Sequence, residues 1–167
     1  FYKLIDREIH NAQAGGEAYI KLKMNSVSDF EMIDKLYEAS AAGVKIQLNI
    51  RGICSLIPNK KDLSDNIEAI SIVDNYLEHS RIYIFGNAGQ TEVYISSADF
   101  MTRNLDGRVE VTCPIYDESI KKELIDIFNI GWKGNVKARY HSEKLDNKYR
   151  VRGQNTVFRA QLETYNY

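Results

Sequence analysis

Three groups of side chains in this sequence have the types and spacing for work on a charged oxygen ligand. The first is Arg51-Gly52. A guanidinium grips two oxygens at once, and a following glycine lets the backbone come close. The second is His79-Ser80-Arg81. A neutral imidazole can act as nucleophile or proton carrier, and a guanidinium beside it can stabilise charge on a phosphoryl group. The third is Ser96-Ser97-Ala98-Asp99-Phe100, whose hydroxyls and backbone donors suit phosphate oxygens. Arg103 lies just beyond, and Lys23 is a further cation for the same task. Taken singly, each has an ordinary reading: a surface arginine in a loop, a histidine held by Glu78 or the backbone, a solvated lysine.

Their value depends on the elements that carry them. Leu4, Ile5, Ile9 and Ala12 have helical spacing over 2–14, which Gly15-Gly16 ends. A strand over 17–24 follows. Ser28 and Glu31 have capping-box spacing ahead of a helix bearing Phe30, Ile33, Leu36 and Tyr37. After Gly43 comes a strand over 44–50. Strand, helix, strand predicts a parallel pair with a right-handed crossover. Arg51 then stands at the carboxyl end of a parallel strand, where open α/β sheets bind ligands.

Residues 51–66 read as a loop, and strands are predicted over 67–73, 79–85, 92–96 and 108–113. Gly86-Asn87-Ala88-Gly89 is a hairpin turn between the second and third of these. If Phe85 pairs with Glu92, Arg81 faces Ser96 and His79 faces Ala98. On a strand His79 and Arg81 would share one face. A helix over 117–132 carries Ile120, Leu124, Ile127, Phe128 and Trp132, and the rest of the chain is basic and less regular.

Composition narrows the class. The 167 residues are 44% hydrophobic and 27% charged, ordinary for one globular domain. No apolar run approaches a membrane span. The chain opens on Phe1 inside a helical pattern, and a piece of a longer protein is expected. Cys54 and Cys113 are too few for a disulfide framework or a zinc site, so both are expected reduced and buried. Between Lys133 and Arg159 eight basic residues face only Glu143 and Asp146, while the whole chain has net charge -1. Such a stripe is a candidate polyanion site, although a solvated charged face is the commoner case. His10 and His141 are read as surface or polar-segment residues, and the 11 tyrosines show no spacing for stacked bases.

His79-x-Arg81 followed by Ser96-Ser97-Ala98-Asp99-Phe100 resembles the phospholipase D superfamily, which uses His-x-Lys and Gly/Ser-Ser-x-Asn-Phe. Here Arg replaces Lys, Asp replaces Asn, Gly86 stands where an Asp would follow, and one copy of a normally paired motif is present. Longer runs resemble the long, histidine-phosphorylating polyphosphate kinases. They are 50–58, from Ile50-Arg51-Gly52-Ile53-Cys54 to Pro58, Ser64-Asp65-Asn66-Ile67, 69–73, 76–85 with Leu77-Glu78-His79-Ser80-Arg81, and 96–104. Leu4-Ile5-Asp6-Arg7-Glu8-Ile9 and Arg159-Ala160-Gln161-Leu162 join them near the ends, so the resemblance covers essentially the whole chain.

That resemblance implies an α/β, phospholipase-D-like domain, a mixed sheet flanked by helices, spanning 1–167 as the last of four domains. It implies a kinase that moves the terminal phosphate of ATP onto a histidine of the preceding domain and then onto polyphosphate, reversibly and with magnesium. The magnesium ligands would lie outside this chain, which holds no metal ligands of its own. Arg51 would contact nucleotide phosphates, and His79 the transferring phosphate as catalytic assistant. Arg81, Ser96, Ser97, Arg103 and Lys23 are further phosphate contacts to consider. Expected partners are the preceding domains, ATP or ADP, inorganic polyphosphate and copies of the full-length protein, with no nucleic acid. The expected location is the cytoplasm, including the inner face of the cell membrane as a peripheral protein. The alone-standing domain is expected to be inactive. Two other classes remain open: a homodimeric phosphodiesterase or nuclease, and a non-catalytic polyanion-binding module.

Overall fold

The computed structural model describes residues 1–154 and 156–167. Helix α1 (Tyr2–Gln13) and helix α2 (Phe30–Ala41) flank strand β1 (Tyr19–Met24) in sequence, and β2 (Lys45–Ile50) follows. The remaining strands are β3 (Ile67–Ile72), β4 (Ile82–Phe85), β5 (Glu92–Ser96), β6 (Thr112–Ile115) and β7 (Ala138–Tyr140). Helices α3 (Thr102–Leu105), α4 (Glu118–Lys133) and α5 (Ala160–Asn166) complete the set. No helix among the described residues is long and apolar enough to cross a membrane.

All strands form one mixed sheet in the order β6-β5-β4-β1-β2-β3-β7. β1, β2 and β3 are mutually parallel, and every other pairing is antiparallel. Alternation along the strands splits the core into two layers. Ile20, Leu22, Ile46, Leu48, Tyr83 and Phe85 pack with Ile5, Ile9, Met32 and Leu36 of α1 and α2. Ile82, Ile84 and Val93 pack with Phe128 of α4, while Ile70, Ile72 and Ala138 meet Ala160 of α5.

The β4–β5 register pairs Phe85 with Glu92 and Ile82 with Ile95, as the turn-centred count predicted. Four expectations need correction. The cap of α2 is Asp29, which accepts the Met32 N–H at 3.0 Å, rather than Ser28. β4 begins at Ile82, so residues 79–81 are not strand. The strand expected over 108–113 lies at Thr112–Ile115. Cys113 is exposed, while Cys54 is partly buried and its thiol is pushed up to about 11 by burial. The two strand bounds follow from pairing with neighbouring strands, which local composition does not report.

Candidate phosphate site at the strand ends

The loops after β1 and β2 lie against each other because of one glycine. The Gly52 N–H donates to the Asn25 carbonyl at 2.8 Å, and a Cβ on Gly52 would sit 2.8 Å from that same oxygen. This contact brings Arg51 to Asn25, whose Oδ1 accepts from Arg51 Nε at 2.7 Å. The Asn25 amide in turn donates to both Asp99 oxygens at 3.2 Å. Asp99 also accepts the Asn25 backbone N–H at 2.8 Å and a bidentate contact from Arg81, Nε and Nη2 each at 3.1 Å. Arg81 Nη1 donates to the His79 carbonyl at 3.2 Å, and Arg51 Nη2 lies 3.5 Å from His79 Nδ1. Five residues therefore form a closed ring: Arg51, Asn25, Asp99, Arg81 and His79.

The ring separates supporting groups from presented ones. Burial disfavours the charged form of Asp99, but the Arg81 guanidinium and the Asn25 donors outweigh it and hold the carboxyl below its ordinary value. Arg81 is thus committed to a carboxylate. Arg51 makes no ion pair with a carboxylate among the described residues, and His79 is exposed. A guanidinium only donates, so the Arg51 contact places the lone pair of His79 on Nδ1 and the neutral ring's proton on Nε2.

A second network holds the segment before His79. Lys23 is buried, and its Nζ reaches Glu78 Oε2 at 2.8 Å and Ser80 Oγ at 3.0 Å. Burial opposes ionisation of Glu78, yet Lys23, with help from Gln161 and Arg51, keeps its carboxyl below the usual range. Gln161 of α5 accepts the Tyr76 N–H at 2.9 Å and donates to the Tyr76 carbonyl at 2.7 Å and to Glu78 Oε1 at 2.8 Å. Two residues earlier, at the N-cap of α5, Arg159 grips Asp74 with bonds of 2.8 and 2.6 Å. Helix α5 thus clamps both ends of residues 74–78.

The sequence-predicted residues divide accordingly. Arg51, His79 and Arg81 do meet, but Arg81 turns inward to Asp99 rather than sharing a strand face with His79. Ser96 does oppose Arg81, its N–H donating to the Arg81 carbonyl at 3.3 Å. The two serine hydroxyls point to the segment before β6: Ser96 Oγ donates to the Val111 carbonyl at 3.1 Å, and Ser97 Oγ donates to Glu110. Lys23 is occupied by Glu78, and Arg103 is exposed on α3. The basic stripe is likewise divided. Arg159 is bound to Asp74, Lys148 to Asp146 at 2.7 Å, and Arg150 donates to the Trp132 carbonyl. Sequence reasoning missed Asn25 and Gln161. Asn25 directly follows a parallel strand, so the argument that singled out Arg51 applies to it equally.

Among the described residues no group of three or more His, Cys, Asp and Glu side chains converges on a point where a metal ion could sit. The two carboxylates of the site, Glu78 and Asp99, hold Lys23 and Arg81. These side chains do not fit a magnesium ion.

Comparison with known proteins agrees with this architecture. The family described as "Polyphosphate kinase C-terminal domain 2" matches residues 1–161. The polyphosphate kinases of Escherichia coli (strain K12) and Klebsiella pneumoniae are each 52% identical over 166 residues, which is 99% of this chain and 24% of each relative. The crystal structure of polyphosphate kinase from Porphyromonas gingivalis superposes with a TM-score of 0.96 at 46% identity, covering 99% of this chain and 25% of that one. A phospholipase D family member, Nuc from Salmonella typhimurium, shares the fold at a TM-score of 0.57 and 14% identity, over 81% of this chain and 89% of its own. The phospholipase-D-like fold is therefore confirmed, and the chain, spanning about a quarter of the length of the curated relatives it matches, belongs to the polyphosphate kinase C-terminal domain 2 family.

Proposed function

We propose that this chain is one part of a polyphosphate kinase that reversibly transfers the terminal phosphate of ATP to polyphosphate through a phosphohistidine lying outside it. In this reading Arg51 holds nucleotide phosphates and His79 meets the phosphate in transit. The observation that carries it is the closed ring, which fixes Arg51 against Asn25 while leaving it without an ion pair to a carboxylate among the described residues. Phosphoryl transfer asks chiefly for positioning and for neutralising equatorial oxygens, and both are matters of fixed donors. The Nε2–H of His79 can donate to a transferring phosphate oxygen. Magnesium, in this reading, is held by residues outside the chain and neutralises the phosphates there. Family membership supports the kinase reading over a nuclease, since the likeness to Nuc speaks for the fold alone.

The test is synthesis of polyphosphate from ATP by the protein carrying all its domains, with and without His79→Ala. Robust synthesis by the wild type and its loss in the variant are expected. Wild-type protein that makes no polyphosphate, or a variant as active as wild type, contradicts the reading.

A further inference from the structure

Next to Arg51 lies a polar cavity of about 420 Å³ lined by Arg51, Gly52, Ser71, Arg139, His141 and Asn147, with Val73 and Tyr140 at its wall. Its size falls in the range of small-ligand sites. β7 creates it. Arg139 pairs with Ser71 in register, near the carboxyl end of β3, and lines the same space as Arg51, which follows the carboxyl end of the neighbouring parallel strand β2. Three contacts hold the Arg139 guanidinium in place. It lies over the Tyr149 ring at 3.9 Å, and it donates to the Tyr149 hydroxyl at 2.6 Å and to the Asn147 carbonyl at 2.9 Å. None of these partners is a carboxylate, so its charge is not neutralised by an ion pair among the described residues. His141 is anchored through Nε2 to the Ile50 carbonyl at 2.9 Å, which makes Nε2 the protonated nitrogen. Among the described residues, no acidic side chain lines the cavity.

We propose that this cavity is a second phosphate subsite, contiguous with Arg51, in which Arg139 and Arg51 grip successive groups of one condensed phosphate. The inference rests on the function proposed above and narrows the basic stripe to one member. Of the eight basic residues from Lys133 to Arg159, Arg139 alone lines the cavity that Arg51 also lines. Two arginines lining one polar space, each held by neighbouring hydrogen bonds, favour a ligand with closely spaced anionic groups, because a pre-positioned fork loses little freedom on binding. Both the triphosphate of a nucleotide and a link of inorganic polyphosphate have that chemistry.

The test is calorimetric titration of the protein with all its domains, using inorganic polyphosphate in one arm and ATP in the other. Three variants are compared with wild type. Arg139→Ala removes the grip. Ser71→Asp puts a negative charge into the cavity directly across from Arg139, neutralising its guanidinium while keeping the arginine itself. Arg152→Ala removes one positive charge from an exposed position of the same stripe. Arg139→Ala and Ser71→Asp are expected to weaken at least one ligand about tenfold or more, the loss of a charge-assisted contact, with Arg152→Ala near wild type. Weakening in the polyphosphate arm assigns the subsite to polyphosphate, and weakening in the ATP arm assigns it to the nucleotide. Wild-type affinity for both ligands in both cavity variants overturns the subsite, as does an equal loss from Arg152→Ala. Failure of the kinase reading shows elsewhere, as absence of polyphosphate synthesis by the wild type.

Discussion

Asp99 accepts both Nε and Nη2 of Arg81 at 3.1 Å while also binding the backbone N–H and side-chain amide of Asn25, so one carboxylate joins the end of β5 to the loops after β1 and before β4. The pair is largely buried, with 20% of the Arg81 side chain and 8% of the Asp99 side chain exposed. Removing one partner of such a pair leaves the other charge poorly solvated.

Asp99→Asn is therefore expected to destabilise the fold by about 2–3 kcal/mol, below the cost of a fully buried pair because Arg81 keeps some solvent. The effect should depend on pH in a defined sense. The folded-state carboxyl titrates below its ordinary value of about 3.9. Its contribution is thus fully present above that value and is lost as pH falls through the lower folded value. Urea unfolding of wild type and variant should differ most near neutrality and converge in acid. A constant difference from pH 7 to pH 2 contradicts the assignment.

Gln161→Ala should loosen the segment that leads into His79 without touching His79 itself. The Tyr76 N–H loses its acceptor, a change of about 0.5–1.5 kcal/mol for a part-buried hydrogen bond. Amide exchange at Tyr76 is expected to accelerate by about twofold to tenfold, while exchange in the centre of β1 stays slow. Unchanged protection at Tyr76 would show that α5 does not hold this segment.

The two thiols should separate by reactivity. Burial pushes the Cys54 thiol up to about 11, so little thiolate forms near neutral pH, and Cys113 is exposed on β6. Iodoacetamide at pH 8 followed by mass spectrometry should label Cys113 first and Cys54 only on unfolding. Equal labelling rates in the folded protein would contradict the burial of Cys54.

Much of this arrangement was readable in the residues, and the parts that were not share a cause. The parallel β1–α2–β2 unit and the β4–β5 register followed from alternation and from turn residues, both local signals. Placing Arg51 at a parallel strand end needed nothing more. The inward turn of Arg81 was hidden because it depends on a bidentate contact to Asp99, 18 residues away. β7 was missed because a three-residue strand paired to β3 across more than sixty residues has no periodicity to read. The basic stripe was visible as charge, but which of its members have partners is decided by tertiary contacts such as Arg159 with Asp74.

The central claim is that Arg51 and His79 act as one unit on the phosphate, and a double-mutant cycle in the protein with all its domains tests it most directly. Polyphosphate synthesis from ATP would be measured for wild type, Arg51→Ala, His79→Ala and the double variant. Each single change is expected to lower the rate by about a hundredfold to a thousandfold, the scale of losing one preorganised donor. The double variant should then be no more than about tenfold below the slower single variant, as for groups that work together. Singles near the wild-type rate, or losses that multiply fully in the double variant, would contradict it.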